Sequence, residues 1–215
     1  MSKQSNDASS SRNSSKWTRR SFLKGVGVAA VASEAVLQRA ASAADAAPAA
    51  DALNTVLEGP LKLTLNINEQ QRQVTVEPRT TLLSALRDYL DPPITGPKLV
   101  CNEATCGACT VLINGKPVYG CSVLAIDTVG KKVVTVEGLG TPEKMNAVQA
   151  AFVEKDAMMC GFCTPGFVTT ISALLGQNPN PSEEQVRDEC RGNFCRCGTY
   201  PHIFAAAQAA AKNAK

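Results

Sequence analysis

Met159-Cys160-Gly161-Phe162-Cys163-Thr164-Pro165-Gly166 and Gly192-Asn193-Phe194-Cys195-Arg196-Cys197 bound the stretch on which the rest of the chain depends. A C-x-x-C pair followed by a C-x-C pair supplies four sulfurs at short, stiff spacings, so the geometry of one ligand fixes the next. Pro165 suits the first turn of a helix. The spacing therefore predicts a helix over 164–176, with Cys160 and Cys163 at its N-terminus, where the positive end of the dipole favours thiolate over thiol. Ser182 is a good N-cap three residues before Gln185, and Gly192 is a natural stop. A second helix over 182–191 would return Cys195 and Cys197 toward the first pair. Four thiols gathered between helix ends read as a metal site.

Upstream lies a second quartet. Cys101-Asn102-Glu103-Ala104-Thr105-Cys106-Gly107-Ala108-Cys109 is followed by the strand Thr110-Val111-Leu112-Ile113, the hairpin turn Asn114-Gly115, and a return strand reaching Cys121. The C-x₄-C-x₂-C spacing with a fourth cysteine farther on is the plant-type ferredoxin arrangement for a [2Fe-2S] cluster. Small residues at Ala104, Gly107 and Ala108 let backbone N–H groups approach the inorganic sulfides, whose negative charge needs donors. The hairpin lets Cys121 sit twelve residues after Cys109 and still reach the same site. Zinc prefers two short C-x₂₋₄-C pairs and fits this run less well. Disulfides would not need two groups of four, each set among small residues.

Around the quartets the chain changes character twice. Leu61, Leu63, Leu65 and Ile67 alternate with polar residues, as do Val74 and Val76, which predicts two strands. Leu82, Leu86 and Leu90 share one side of a helix that Asp91-Pro92-Pro93 stops. Val133-Val134-Thr135-Val136 reads as a further strand, and Glu137 to Pro142 as a boundary. Beyond it everything reads as helix, over 143–155, 164–176, 182–191 and 202–212, the last nearly pure alanine from Ala205 to Ala211. The expected fold class is α+β. A β-grasp, ferredoxin-like domain spans 61–137 and a helical domain with four helices spans 142–212.

The N-terminal part reads differently. Thr18-Arg19-Arg20-Ser21-Phe22-Leu23-Lys24, a weakly apolar Gly/Ala stretch, and Ala41-Ser42-Ala43 resemble a twin-arginine signal peptide over 1–43, followed by a linker over 44–60. The apolar run is too short and too rich in alanine and glycine to span a bilayer. The expected destination is the periplasm. The formal net charge is +3, but residues 1–43 hold seven of the basic and two of the acidic residues. The remainder carries 15 basic and 17 acidic residues. That balance offers no footprint for nucleic acid.

Two ordered cysteine quartets with these flanks resemble the small iron–sulfur subunit of the molybdenum hydroxylases, the family of xanthine dehydrogenase, carbon monoxide dehydrogenase and the aldehyde oxidoreductases. The resemblance covers about residues 61–210. It implies an outer [2Fe-2S] cluster on Cys101, Cys106, Cys109 and Cys121, and an inner one on Cys160, Cys163, Cys195 and Cys197. It also implies a hetero-oligomer with a large molybdopterin-binding subunit, where substrate is hydroxylated, and with a FAD-binding subunit or a cytochrome as acceptor. Cys197 matches the ligand that lies against the pterin, and no catalytic residue is expected on this chain.

This sequence departs from the family pattern in two places. Met159 stands where many relatives have glutamine, and Cys197-Gly198-Thr199-Tyr200 replaces the usual C-T-G-Y. The ninth cysteine, Cys190, falls outside both quartets and reads as a small buried apolar residue. His202, the only histidine, reads as a surface or capping residue. The leading expectation is an electron-transfer subunit of an exported hydroxylase, with aldehyde oxidation to carboxylate as its chemistry. Two alternatives stand beside it: a stand-alone two-cluster electron carrier, and a zinc- or disulfide-stapled interaction module.

Overall fold

The computed structural model describes residues 57–213. The signal peptide expected over 1–43 and most of the linker over 44–60 lie outside the described residues. Alternation of apolar and polar positions builds β1 (Leu61–Ile67) and β2 (Gln70–Val76), an antiparallel hairpin turning at Asn68 and Glu69, both at positive φ. The predicted turn at Asn114-Gly115 joins β3 (Thr110–Ile113) to β4 (Lys116–Tyr119). With β5 (Lys132–Val134) these make one mixed sheet of order β2-β1-β5-β3-β4, in which β5 runs parallel to β1 and antiparallel to β3.

The helix expected after β2 is short. Leu82–Ser84 (α1), capped by the Thr81 hydroxyl, continues as a wider π-helical turn over Ala85–Tyr89. This differs from the regular helix that the leucine spacing predicts. The wider turn keeps the neighbours Ala85 and Leu86 both buried, against Leu65, Ile67, Val76, Val111 and Val133 of the sheet. Strand β5 also ends early, because Thr135 and Val136 turn away. The Asn68 side chain accepts from the Thr135 N–H at 2.9 Å and donates to its hydroxyl at 3.0 Å. Glu137 accepts from the Thr135 hydroxyl and from the Gly96 N–H, both at 2.6 Å.

The second half is helical: α2 (Ala147–Glu154), α3 (Thr164–Gln177), α4 (Glu183–Glu189) and α5 (Tyr200–Asn213). Helix α2 starts later than the expected residue 143. Thr141 and Lys144 bridge to each other first, and Asn146 with Gln149 then forms a capping box. Ser182 and Gln185 form another at the head of α4, as their spacing predicts. The four helices bury Phe152, Phe167, Ile171, Val186 and Ile203, and the alanines at 206, 207 and 210 let α5 lie close to its neighbours. Helix α3 also packs against β3 and β4, which joins the helical half to the sheet. Among the described residues no helix is long and apolar enough to cross a membrane.

Candidate metal centre

The first quartet is assembled by the β3–β4 hairpin. Thr110 pairs with Tyr119, so Cys109 and Gly120 lie opposite one another just beyond the strands, and the Gly120 N–H donates to the Cys109 carbonyl at 3.1 Å. The next residue, Cys121, then brings its sulfur to 3.4 Å from that of Cys109. Both are buried against Leu83. Arg87 holds the loop ahead of the quartet, donating to the carbonyls of Thr95 and Pro97, both at 2.9 Å. Lys98 donates its N–H to the Ala108 carbonyl at 2.9 Å. Between these anchors Asn102 and Ala104 adopt positive φ, 57° and 55°. The loop thereby turns its amides onto sulfur: Glu103 N–H donates to Cys101 at 3.4 Å and Ala104 N–H to Cys121 at 3.3 Å.

The second quartet sits where α3 begins. Cys163 is the N-cap of that helix, and Pro165 occupies its first turn. Cys195 is buried next to Cys163, while Cys160 and Cys197 are exposed neighbours. Tyr200 places Cys195 by accepting its N–H at 2.8 Å, and the Thr199 hydroxyl lies 3.3 Å from its sulfur. Gly198, at φ +80°, makes the turn that lets Thr199 and Tyr200 fold back in this way.

Electrostatics divides each set. Thr105, through its hydroxyl, and the Glu103 N–H draw the Cys101 thiol down to about 6. Burial pushes Cys109 up to about 12. Burial would raise Cys195 as well, but the Thr199 hydroxyl and amide outweigh it and bring that thiol to about 7. Cys163 is pushed up to about 12, first by burial and then by the sulfur of Cys195. The sequence predicts the opposite shift for Cys163 from the helix dipole; removal from water overrides the dipole. Negative charge on neighbouring sulfurs adds to the rise at Cys109 and Cys163 alike. A positive centre would offset that charge.

Cys109 and Cys121 lie sulfur to sulfur at 3.4 Å, and Cys101 neighbours Cys106, Cys160 neighbours Cys197 and Cys163 neighbours Cys195. Among the described residues no three His, Cys, Asp or Glu side chains gather as ligands of one ion. All nine cysteines are free thiols. Four thiols in each set, with amide donors on sulfur in the first, suit a binuclear cluster in which each iron takes two cysteines. The same arrangement fits a single tetrahedral zinc less well.

Cys190 stands apart, buried, its thiol pushed up to about 12 by burial. His202 is exposed, and its Nδ1 lies 2.9 Å from the Lys155 carbonyl at the C-terminal end of α2. It caps the neighbouring helix and not its own. Sequence reasoning missed Thr105, Thr199, Tyr200 and Tyr119 as supports of the cysteines. Their only signal was proximity in sequence to a ligand.

Comparison with known proteins agrees with this geometry. Residues 65–160 match the family described as 2Fe-2S iron-sulfur cluster binding domain, and residues 135–208 match the [2Fe-2S] binding domain family. The chain is 36% identical over 213 residues to the aldehyde oxidoreductase iron-sulfur-binding subunit PaoA of Escherichia coli, covering 92% of this chain and 90% of that one. It is 40% identical over 146 residues to the nicotinate dehydrogenase small FeS subunit of Eubacterium barkeri, covering 68% and 92%. The crystal structure of quinoline 2-oxidoreductase from Pseudomonas putida 86 superposes with a TM-score of 0.69 at 40% identity, covering 73% of this chain and 97% of that one.

Proposed function

Because the chain belongs to the iron–sulfur subunits of the molybdenum hydroxylase family, that of aldehyde oxidoreductase and xanthine dehydrogenase, we propose that it is the electron-transfer subunit of an exported complex that oxidises aldehydes to carboxylates. In this reading Cys101, Cys106, Cys109 and Cys121 hold one [2Fe-2S] cluster on a β-grasp domain of residues 61–137. Cys160, Cys163, Cys195 and Cys197 hold the other on a four-helix domain of residues 142–212. The observation that carries the reading is the clustering of thiols, with Cys109 and Cys121 at 3.4 Å and the other cysteines of each set next to one another.

Bound clusters supply one-electron oxidation and reduction; the part played by the chain itself is to ionise, place and shield. Thr105 and Thr199 keep Cys101 and Cys195 readily ionised, as thiolate ligation requires. Cys109, Cys121 and Cys195 bury one side of each site, and amides of the 101–109 loop donate to sulfur. Donors of that kind tune a cluster's potential.

Exposed apolar side chains support a partner on each open side. Met158, Met159, Phe162 and Phe194 are exposed beside the exposed Cys160 and Cys197. Exposed large apolar side chains grouped in this way support an interaction surface. The large molybdopterin-binding subunit is the partner assigned to it. Leu99 and Val100, also exposed, precede Cys101, and a FAD-binding subunit or a cytochrome would take electrons there. The twin-arginine motif at Arg19 and Arg20 supports periplasmic delivery, with the folded partners carried along.

The test is purification of the native complex followed by rapid mixing with an aldehyde, reading the reduced iron–sulfur signals by EPR. A molybdenum-bearing larger subunit should co-purify, and the aldehyde should reduce both clusters. A chain that purifies alone, fully loaded and unreduced by aldehydes, would instead be a free-standing electron carrier.

A further inference from the structure

The two quartets meet at one buried amide. Asn193 lies two residues before Cys195 and is 6% exposed. Its Nδ2 donates to the carbonyl of Gly107, the residue after Cys106, at 3.1 Å. Its Oδ1 accepts from the Thr170 hydroxyl on α3 at 3.0 Å. One residue on, the Phe194 N–H donates to the Cys106 carbonyl at 2.9 Å. A single hydrogen bond therefore bridges the backbone of a first-quartet cysteine to Phe194, the residue before Cys195.

The surroundings are built to permit this approach. A Cβ on Gly107 would meet the Gly192 carbonyl and the Asn193 amide, and one on Gly166 would meet the Gly107 carbonyl. A Cβ on Gly192 would meet the Tyr119 hydroxyl. Gly107 is also at φ +69°, where a side chain is strained regardless of space. Gly107 and Gly166, from two segments, thus clear room around one asparagine, and Gly192 clears room for Tyr119 beside it. The Gly107 carbonyl already accepts from the Thr110 N–H at 3.1 Å and its hydroxyl at 2.7 Å. Asn193 is therefore not needed to satisfy that oxygen. What its two-ended amide adds is a fixed distance between the loop of Cys106, the segment of Cys195, and α3.

We propose that Asn193 is a positioning residue that sets the separation of the two clusters and holds the Cys106–Phe194 hydrogen bond through which an electron crosses between them. The proposal rests on the cluster assignment made above. One electron passes per step: one cluster is oxidised as the other is reduced, with no proton moved and no bond made or broken.

The experiment uses the intact complex with wild-type, Asn193→Asp, Asn193→Ala and Thr170→Val chains, fully reduced with dithionite. It reads iron and sulfide content and the EPR splitting that arises from interaction between the two reduced clusters. Asn193→Asp keeps size and the Thr170 contact but cannot donate to Gly107; Thr170→Val removes only the other contact. The expected result is unchanged iron content and unchanged g-values for each cluster, with the splitting diminished in both Asn193 variants and less so in Thr170→Val. Rapid-freeze samples should show slower electron transfer between clusters in the same order. If Asn193→Ala fails to fold, the other two variants carry the test. Fully loaded variants with wild-type splitting would overturn the proposal. A wild-type chain without iron would overturn the cluster assignment itself, and the proposal with it.

Discussion

The Tyr119 hydroxyl donates a 2.8 Å hydrogen bond to the Gly192 carbonyl, tying the strand that delivers Cys121 to the segment that delivers Cys195. The two residues are far apart in sequence, and each lies close to a ligand of a different quartet. Tyr119→Phe removes this bond and little else. A net loss of about 1 kcal/mol is expected for one such bond, or roughly 2–4 °C in melting temperature for a chain of this size. Thermal unfolding of the loaded protein checks it; no change would mean that the two segments are held together by other contacts.

The same substitution at two positions of α3 should have opposite signs. A Cβ on Gly166 would press on the Gly107 carbonyl, which belongs to the cysteine loop and cannot easily move. Gly166→Ala should cost on the order of 1–3 kcal/mol, as overpacking does, and lower iron retention at the first quartet. Gly176 is exposed near the other end of α3, and a Cβ there would find nothing within 4 Å. Gly176→Ala should stabilise by about 0.4–1 kcal/mol. Paired melting curves and iron analyses decide it.

The ninth cysteine should be dispensable to iron. Cys190 is buried among apolar side chains and belongs to neither quartet. Cys190→Ala should keep full iron content and cost about 1 kcal/mol for the lost packing. Cys109→Ser, equally buried, should lose the first cluster while the second remains. Iron and sulfide assays on both variants test the separation, and iron loss in Cys190→Ala would count against the ligand assignment.

Much of this arrangement is legible in the sequence because it is local. The alternation of Leu61 to Ile67, the Asn114-Gly115 turn, the Ser182–Gln185 box and the Pro165 helix start each follow from a few adjacent residues, and each appears in the structure. Within the first quartet, short spacing and one hairpin bring Cys109 and Cys121 together for the same reason. What stays hidden depends on distant partners. The Asn193–Gly107 contact spans two halves of the chain, and the room it needs shows only when Gly107 and Gly166 are seen side by side. The raised Cys163 thiol reflects burial, which no local motif encodes. The π-helical turn at Ala85–Tyr89 likewise answers to the packing of Leu86 on the sheet, not to leucine spacing.

Export is tested apart from the fold, since Arg19 and Arg20 lie outside the described residues. Changing both to lysine keeps the charge and removes the guanidinium pair that the pathway reads. The expected outcome is retention of this chain and its partners in the cytoplasm, followed by fractionation and immunoblotting. Unchanged periplasmic delivery would put the signal elsewhere.

The most direct measurement is the metal and acid-labile sulfide content of the purified native protein. Two Cys₄ sets, each holding a [2Fe-2S] cluster, predict about four iron and four sulfide per chain and a brown colour. Zinc in place of iron, with no sulfide and no colour, would contradict the account.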